Sequence, residues 1–432
     1  MRSLHAEIVR TLLVPVFFIA FVAAGCGSDR SGAVTVTFWA MGNEGEHVQR
    51  LVPGFEERHP GIKVKVQQIP WTAAHEKLLT AFAGNSLPDA CQLGNTWVPE
   101  FTLLDALENL DRWTDESAVV DPDDYFSGIW ETNVIGRSVY GIPWYVDTRL
   151  LYYRSDLLAE AGYTAPPRTW EEWHDVSVKL RERSGGEERY AMFLPTNEWV
   201  PFVVAGLQGG STLLRDEGRY GDFSGSEFSS SFKFLMSFYR EKLAPVGITR
   251  VTSIYQGMAE GYFAMYITGP WNIGEFSRRF PKELQDSWMT APMPGPDTTY
   301  PGISLAGGSS LVLFQHSERK AETWKFIEYL SEPQQQLAFY TITGNLPARL
   351  EAWKDTVLAK NRYVRAFYEQ LNRVVPTPKI PEWEQITMKI QQYAEAASRE
   401  TMSVEEALAA LDRDVDRILE KRRWMMERAD RD

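Results

Sequence analysis

Apolar and polar residues follow two patterns along the first hundred positions of the chain. Residues 34–39 and 62–66 alternate with a period of two, which predicts strands, and the apolar run at 89–93 predicts a short buried strand. Between them, apolar residues at 48–55 and 78–82 recur with helical spacing. This order predicts a βαβαβ unit at the start of an α/β protein.

Local signals predict where individual helices begin or bend. Thr169 with Glu172, and Ser403 with Glu406, have the spacing of a capping box, in which each side chain accepts from the backbone N–H of the other residue. The second pair precedes a run whose apolar residues share one helical face. Pro53 falls inside the helix predicted at 48–55 and is expected to kink it.

The N-terminal segment predicts export. Its apolar run from Leu12 to Ala24 is too short to span a bilayer, which takes roughly 20 residues, and fits a secretory signal peptide. Residues 23–26, Ala-Ala-Gly-Cys, resemble a bacterial lipobox. We therefore predict a lipoprotein signal peptide at 1–25, an acylated Cys26 and a polar tether at 26–33. Ordinary signal cleavage beside an unrelated cysteine is the alternative.

Length, charge and cysteine content narrow the class of protein. A chain of 432 residues is longer than one hydrophobic core usually serves, which predicts two domains. The formal net charge is −13 with no basic cluster, which argues against nucleic acid and anionic lipid as partners. If Cys26 carries lipid, Cys91 has no disulfide partner, and its apolar neighbours predict a buried, inert thiol.

Motifs for catalysis and metal binding are sparse. His75-Glu76 lacks the second histidine of a zinc-protease helix, and Gly307-Gly308-Ser309 is not a nucleophile elbow. Glycoside hydrolysis by a pair of carboxylates stays an open alternative, because the distance between the two carboxylates is set by the fold and is not visible in the sequence. We predict neither a metal nor another cofactor, since the histidines left after export lack metal-ligand spacing: His47, His59, His75, His174 and His316.

Aromatic residues are abundant and point to a stacking ligand. The chain has 15 Trp, 18 Tyr and 22 Phe. A sugar presents C–H faces that stack on aromatic rings and hydroxyls that pair with polar side chains, although the same physics suits other flat or apolar ligands. Packing in the core is the competing interpretation for each ring. Several tryptophans lie in predicted loops: Trp39, Trp71, Trp97, Trp144, Trp199 and Trp271.

The block Tyr-Gly-Ile-Pro-Trp-Tyr-Val-Asp at 140–147, with Tyr-Tyr-Arg at 152–154, is the most specific motif of the chain. With this block, nearly all of residues 34–419 resemble the bacterial extracellular solute-binding proteins of ABC sugar importers, the group that contains maltose-binding protein. A second block, Ala-Met-Tyr-Ile-Thr-Gly-Pro-Trp at 264–271, ends on a tryptophan that stacks on sugar in that family.

This resemblance implies an α/β, two-lobed, periplasmic-binding-protein-like (type II) fold with a hinge and an interlobe ligand cleft. Lobe 1 would hold residues 34–145 and 305–350, and lobe 2 residues 146–304 and 351–432. It further implies a monomeric, lipid-anchored, extracytoplasmic protein that is not an enzyme and delivers a mono- or oligosaccharide to ABC permease subunits. The permease subunits are separate chains, and the membrane would be reached through the lipid anchor.

The resemblance also implies where the ligand binds. Ligands of open α/β sheets sit beyond the carboxyl ends of the strands, and the positions carried over from the family lie at such ends. Trp271 is expected to be the main stacking platform. The full set of predicted ligand-binding residues is Asn43, Glu44, Asn95, Thr96, Trp97, Tyr145, Asp147, Asn197, Trp199, Trp271, Arg349 and Trp383.

Two other functions fit parts of this pattern. A secreted carbohydrate-active enzyme also combines aromatic rings with carboxylates, but it would hydrolyse the glycosides that a binding protein leaves intact. A binding protein for a non-sugar solute would share the fold and differ in its cleft. Such a solute would be a metal ion, an amino acid or a peptide. The lack of a Tyr/His/Asp metal cluster argues against a metal ion, and the number of tryptophans favours a saccharide.

Overall fold

The computed structural model describes residues 32–183, 188–247 and 253–429. The predicted signal peptide, Cys26 and the tether up to residue 31 lie outside the described residues. In chain order the strands are β1 (Val34–Met41), β2 (Ile62–Ile69), β3 (Ala90–Gly94), β4 (Val134–Ile135), β5 (Ser138–Val139), β6 (Ile142–Asp147), β7 (Leu150–Arg154), β8 (Tyr190–Phe193), β9 (Leu214–Arg215), β10 (Tyr220–Gly221), β11 (Phe263–Thr268), β12 (Trp288–Ala291), β13 (Ser304–Leu305), β14 (Gly307–Leu313), β15 (Leu346–Pro347) and β16 (Val374–Val375).

The α-helices between these strands vary in length. In chain order they are α1 (Gly42–His47), α2 (Val52–Arg58), α3 (Trp71–Ala83), α4 (Val98–Leu103), α5 (Asp111–Asp115), α6 (Ser127–Glu131), α7 (Ser155–Glu160), α8 (Trp170–Glu182), α9 (Val200–Gln208), α10 (Ser226–Arg240), α11 (Ile254–Ala259), α12 (Trp271–Arg279), α13 (Lys320–Ser331), α14 (Pro333–Thr343), α15 (Thr356–Ala359), α16 (Arg365–Leu371), α17 (Trp383–Ser398), α18 (Val404–Ile418) and α19 (Glu420–Ala429).

A six-stranded sheet forms the core of the first lobe. Its strand order is β15-β6-β14-β3-β1-β2. β1 runs parallel to β2 and β3, while β14 is antiparallel to both β3 and β6. Val36, Phe38 and Ala40, on one face of β1, are fully buried, so the period-two pattern marks the face that packs on the core. The predicted βαβαβ order is confirmed, with α3 as the second crossover.

A four-stranded sheet forms the core of the second lobe. Its order is β12-β7-β11-β8, in which β11 is parallel to β8 and antiparallel to β7. β11 is buried along its whole length, which explains its continuous apolar sequence. The helices α10, α17 and α18 pack together beside this sheet.

The chain passes from the larger sheet to the smaller one between β6 and β7. β6 ends at Asp147 in the larger sheet, and β7 begins at Leu150 in the smaller one. Nearby, β13 pairs in parallel with β16, and Ser304 Oγ donates to the backbone O of Arg149 at 2.9 Å. β6 thus stays in the larger sheet two residues past the bound predicted for lobe 1, and the lobe bounds remain predictions.

Two local expectations need correction. The helix predicted at 48–55 is a 3-10 turn at Val48–Arg50 followed by α2, and Pro53 lies in the first turn of α2, where its missing N–H costs nothing. Ser403 and Glu406 form the complete capping box, as predicted. Thr169 accepts from Glu172 N, but the Glu172 carboxylate accepts from the N–H of Arg168 instead of returning to Thr169.

Candidate ligand-binding site

A cavity of about 390 Å³ lies between the two sheets. Its lining comes from the ends of β3 and β6, the start of β14, and the first residues of several helices. Such positions offer unpaired backbone groups and side chains that need not pack in a core. The residues are Glu44, Trp71, Gly94, Asn95, Thr96, Trp97, Tyr145, Val146, Asp147, Trp199, Pro270, Trp271, Gly308, Ser309, Asn345 and Glu384.

A buried hydrogen-bond network fixes the Tyr145 hydroxyl. Gln92 Nε2 donates to it at 2.9 Å, and Ser309 Oγ donates to it at 2.8 Å. Gln92 is oriented in turn because its Oε1 accepts from Met41 N at 2.8 Å. Gly308 makes the close approach of β14 and β6 possible, since its φ is +132° and a Cβ there would lie 2.3 Å from Tyr145 O. Burial raises the pKa of Tyr145 well above its ordinary value, so the phenol is neutral.

The Glu44 carboxylate is held by two side chains that also line the cavity. Asn345 Nδ2 donates to its Oε1 at 2.9 Å, and Trp71 Nε1 lies 3.4 Å from its Oε2. Gly42 adopts φ +51° immediately after β1, and a Cβ there would lie 2.7 Å from Trp71 Cδ1. The turn after β1 therefore needs glycine both for its backbone conformation and for the space that the indole occupies.

The turn after β3 presents Asn95, Thr96 and Trp97 as a short 3-10 helix. Asn95 is buried, and its Nδ2 donates to Ala306 O at 2.9 Å, which ties this turn to the chain that enters β14. The Trp97 ring meets Trp71 edge to face, with centroids 5.8 Å apart. One side of the cavity therefore carries two indoles beside amide and carboxylate groups.

His75 supports this aromatic pair from α3. Its Nε2 lies 2.6 Å from Glu100 Oε2, and its ring lies 5.0 Å from the Trp97 ring. The hydrogen bond with Glu100 raises the pKa of His75, against an opposing effect of burial, and the charges of Glu384 and Glu76 act in the same direction as Glu100.

We expect the charged His75 to stabilise the fold at acidic pH. Because its folded-state pKa is raised, this stability is fully present below the pKa of the unfolded chain and is lost as pH rises through the folded-state pKa. The His75→Gln variant should therefore lose more stability at about pH 6 than at about pH 9. Urea unfolding at both pH values measures the gap between the free energies of unfolding of the parent and the variant. Glu100→Gln should show the same dependence of this gap on pH. A gap that does not change with pH would contradict the assignment.

Trp199 and Trp271 face the cavity from the second lobe. Trp271 is the first residue of α12 and is 43% exposed, so its ring is not part of the core. The ring lies directly over Gly269, where a Cβ would come within 1.9 Å of Trp271 Cζ3. Gly269 is itself anchored, since its O accepts from the Tyr152 hydroxyl at 2.8 Å. Trp199 meets the buried Trp383 edge to face at 5.8 Å.

A cluster of charged side chains adjoins the crossing between β6 and β7. Arg149 Nη1 lies 2.9 Å from each carboxylate oxygen of Asp147. Burial raises the pKa of Asp147 and outweighs the opposing effect of Arg149. Burial likewise raises the pKa of Glu198, although Arg149 acts to lower it. One guanidinium therefore compensates two partly buried carboxylates.

A hydrogen bond between Thr96 and Glu384 connects the two lobes at the cavity wall. Thr96 Oγ1 donates to Glu384 Oε1 at 2.7 Å, and Glu384 belongs to the first turn of α17. Burial raises the pKa of Glu384. Because α17 packs on α10 and α18, this contact links the turn after β3 to the helices of the second lobe.

The structure brings most of the predicted ligand-binding residues to this cavity and places four of them elsewhere. Asn43 and Asn197 are exposed and do not line it. Arg349 is buried away from the cavity, where its Nε donates to Asp124 Oδ2 at 2.6 Å. Trp383 is fully buried in the core of the second lobe. The residues that do line it are Glu44, Asn95, Thr96, Trp97, Tyr145, Asp147, Trp199 and Trp271.

The sequence-based set missed four aromatic or polar side chains that line the cavity: Trp71, Ser309, Asn345 and Glu384. Asn345 and Glu384 lie far in sequence from their partners Glu44 and Thr96. Trp71 was recognised as a tryptophan in a predicted loop, but it lies at the start of α3 and lines the cavity. A polar residue beside a Gly, as at 344–345, was the one local signal for Asn345.

Within residues 32–183, 188–247 and 253–429, no His, Cys, Asp or Glu side chains group in a way that could hold a metal ion. None of the helices in that part of the chain has the length and apolar character needed to cross a membrane.

Comparisons with known proteins identify the family. The family model described as "Bacterial extracellular solute-binding protein" matches residues 40–337, more than half of the chain. The solved structure of the sugar-binding protein MalE from Xanthomonas citri is 48% identical, with a TM-score of 0.88, and the match covers 91% of this chain and 99% of that chain.

Two relatives are similar at lower identity. A putative binding protein of Brucella abortus (strain 2308) is 25% identical over 352 residues, which cover 79% of this chain and 82% of the relative. The galactooligosaccharide-binding protein of Bacillus subtilis (strain 168) is 22% identical over 385 residues, which cover 85% and 87%. The chain therefore belongs to the bacterial extracellular solute-binding protein family and has the two-lobed α/β fold of its MalE-type members.

Proposed function

We propose that this protein captures a sugar outside the cytoplasm and delivers it to the permease subunits of an ABC importer, without catalysing a reaction. The observation that carries this proposal is the cavity between the lobes, which has tryptophans on both sides and polar side chains between them. The names of the MalE structure and of the Bacillus subtilis relative support a saccharide as the ligand.

The chemistry of the cavity suits a neutral saccharide. Trp271 offers a partly exposed indole to the C–H groups of a sugar ring, and Trp71 and Trp97 offer further aromatic surface. Carboxylates of Glu44 and Asp147 can accept hydrogen bonds from sugar hydroxyls. We propose these cavity-lining residues as the ligand-binding set, with Trp271 as the stacking platform.

A thermal-shift screen of the mature protein tests the proposal. The panel contains glucose, galactose, mannose, maltose, maltotriose and galactobiose. A ligand at 100 times its dissociation constant should stabilise the protein by about 2.7 kcal/mol. Chromatography of the same mixtures should recover the sugars intact, because a carbohydrate-active enzyme would hydrolyse its glycoside. No shift with any saccharide, or a shift only with a non-sugar solute, would contradict the proposal.

We expect Gly269→Ala to impair saccharide binding while the fold is retained. The new Cβ would lie 1.9 Å from Trp271 Cζ3, so the indole must leave its position at the cavity. Affinity measured by calorimetry should fall by about tenfold or more, on the scale of a lost stacking ring. Gly274→Ala, in the helix α12 that Trp271 begins, is the matched control, because the atom nearest to its new Cβ would be the end of Arg278 at 3.3 Å. Equal affinity in both variants would contradict the role of the ring position.

We further propose that Cys26 is acylated after removal of residues 1–25, which would place the monomeric protein in the cell envelope, either periplasmic or on the outer face of the cytoplasmic membrane. The lipobox-like sequence at 23–26 supports this anchor. We expect Cys26→Ser to move the protein into the soluble fraction of a cell fractionation. Continued detergent-dependent membrane association of the variant would contradict lipidation.

A further inference from the structure

Arg149 occupies a position that joins both lobes. It lies between the last residue of β6, Asp147, and the first residue of β7, Leu150. Its side chain is only 13% exposed, and its backbone O accepts from Ser304 Oγ of β13 at 2.9 Å. The backbone of Arg149 is therefore held by the neighbouring strand, independently of the contacts of its side chain.

The Arg149 side chain contacts both elements that face the cavity at this point. Its Nη1 lies 2.9 Å from both oxygens of Asp147, and its guanidinium carbon lies 4.7 Å from the centroid of the Trp271 ring. Arg149 is absent from the cavity lining itself. The guanidinium thus lies behind two lining residues, one at the end of a lobe 1 strand and one at the start of a lobe 2 helix.

The electrostatic interactions of this guanidinium indicate a specific role for it. A partly desolvated cation on an indole face contributes more than an exposed one. Removing the cation would leave the Asp147 and Glu198 carboxylates without their compensating charge. The buried Nε has no hydrogen-bond partner among the described residues, so the ion pair and the ring contact are what hold the group.

We propose that Arg149 is a positioning residue for ligand binding: it orients the Trp271 ring and the Asp147 carboxylate together, across the crossing between the lobes. Arg149 acts through these two residues and does not touch the ligand. The proposal rests on the proposed function only for its affinity measurements, since the orientation of the ring can be observed without a ligand.

A double-mutant cycle tests the coupling between Arg149 and Trp271. Binding is measured with the saccharide that gives the largest shift in the thermal screen. Arg149→Met should weaken binding by about tenfold in the parent, and by less than about threefold in the Trp271→Ala background. Arg149→Lys, which keeps the charge, should recover part of the affinity. Equal losses in both backgrounds, or no loss in the parent, would overturn the proposal and leave the proposed function standing.

The ligand-free arm uses fluorine NMR of protein labelled with 5-fluorotryptophan. The Trp271 resonance is assigned as the one that disappears in Trp271→Phe. It should shift in Arg149→Met and return toward the parent position in Arg149→Lys. The matched control is Arg428→Met, because Arg428 also lies 4.7 Å over a tryptophan ring, that of Trp424, outside the cavity. An unchanged Trp271 resonance in Arg149→Met would overturn the proposal even if no saccharide binds.

Discussion

Trp271→Ala is expected to abolish most saccharide binding and to leave the melting temperature close to that of the parent. The ring is 43% exposed, so its removal opens no cavity in a core. Loss of a stacked ring should cost about 1–3 kcal/mol of binding free energy, which corresponds to roughly fivefold to 150-fold in the dissociation constant. Titration calorimetry gives the affinity, and differential scanning calorimetry of the same sample gives the stability.

The chain offers a matched control for this variant. Trp424 in α19 is 56% exposed and lies under an arginine, as Trp271 does, but it does not line the cavity. Trp424→Ala should therefore bind the saccharide like the parent. A Trp271→Ala variant that melts far below the parent, or one that binds with the parent affinity, would show that this tryptophan is structural and that the site is wrongly placed.

Trp383→Ala is expected to have the opposite effect. This side chain is fully buried in the second lobe, among the apolar faces of α17 and α18 and against Trp199. Replacing a buried tryptophan with alanine removes its transfer free energy and leaves a cavity, at a cost of about 3–5 kcal/mol of stability. Denaturant unfolding should show the loss as a lower midpoint with an unchanged slope.

Trp383→Phe tests how the loss of stability depends on the volume that is removed, because it keeps an aromatic ring at this position. Because phenylalanine fills part of the same space, it should lose less stability than alanine does. A Trp383→Ala variant that unfolds at the denaturant concentration of the parent would contradict the core assignment. It would also return this residue to the set of candidate ligand contacts.

The contrast between these two tryptophans explains what local sequence could not decide. Each is the first residue of a helix, and each follows a proline within two residues. Their different burial depends on what packs against them: Trp271 has Gly269 and the Arg149 guanidinium beside its ring and stays 43% exposed, while Trp383 meets Trp199 and the second-lobe core. Packing partners far apart in sequence made that distinction, and no spacing of residues encodes it.

Arg349 shows the same limit for a charged residue. The family resemblance placed it among the predicted ligand-binding residues. In the structure its guanidinium binds the Asp124 carboxylate and the carbonyl oxygens of Val119 and Ser331, which satisfies a buried cation within the first lobe. A buried arginine must find such partners, and those partners come from segments that only folding brings together.

The sequence by itself determined the features that depend on local periodicity and capping. Strand alternation at 34–39, the crossover helix before β3 and the capping box at Ser403 follow from backbone geometry and from hydrogen bonds between near neighbours. The tertiary structure decided the composition of the cavity. Pairs such as Thr96 with Glu384 join residues hundreds of positions apart, and they form only when α17 meets the turn after β3.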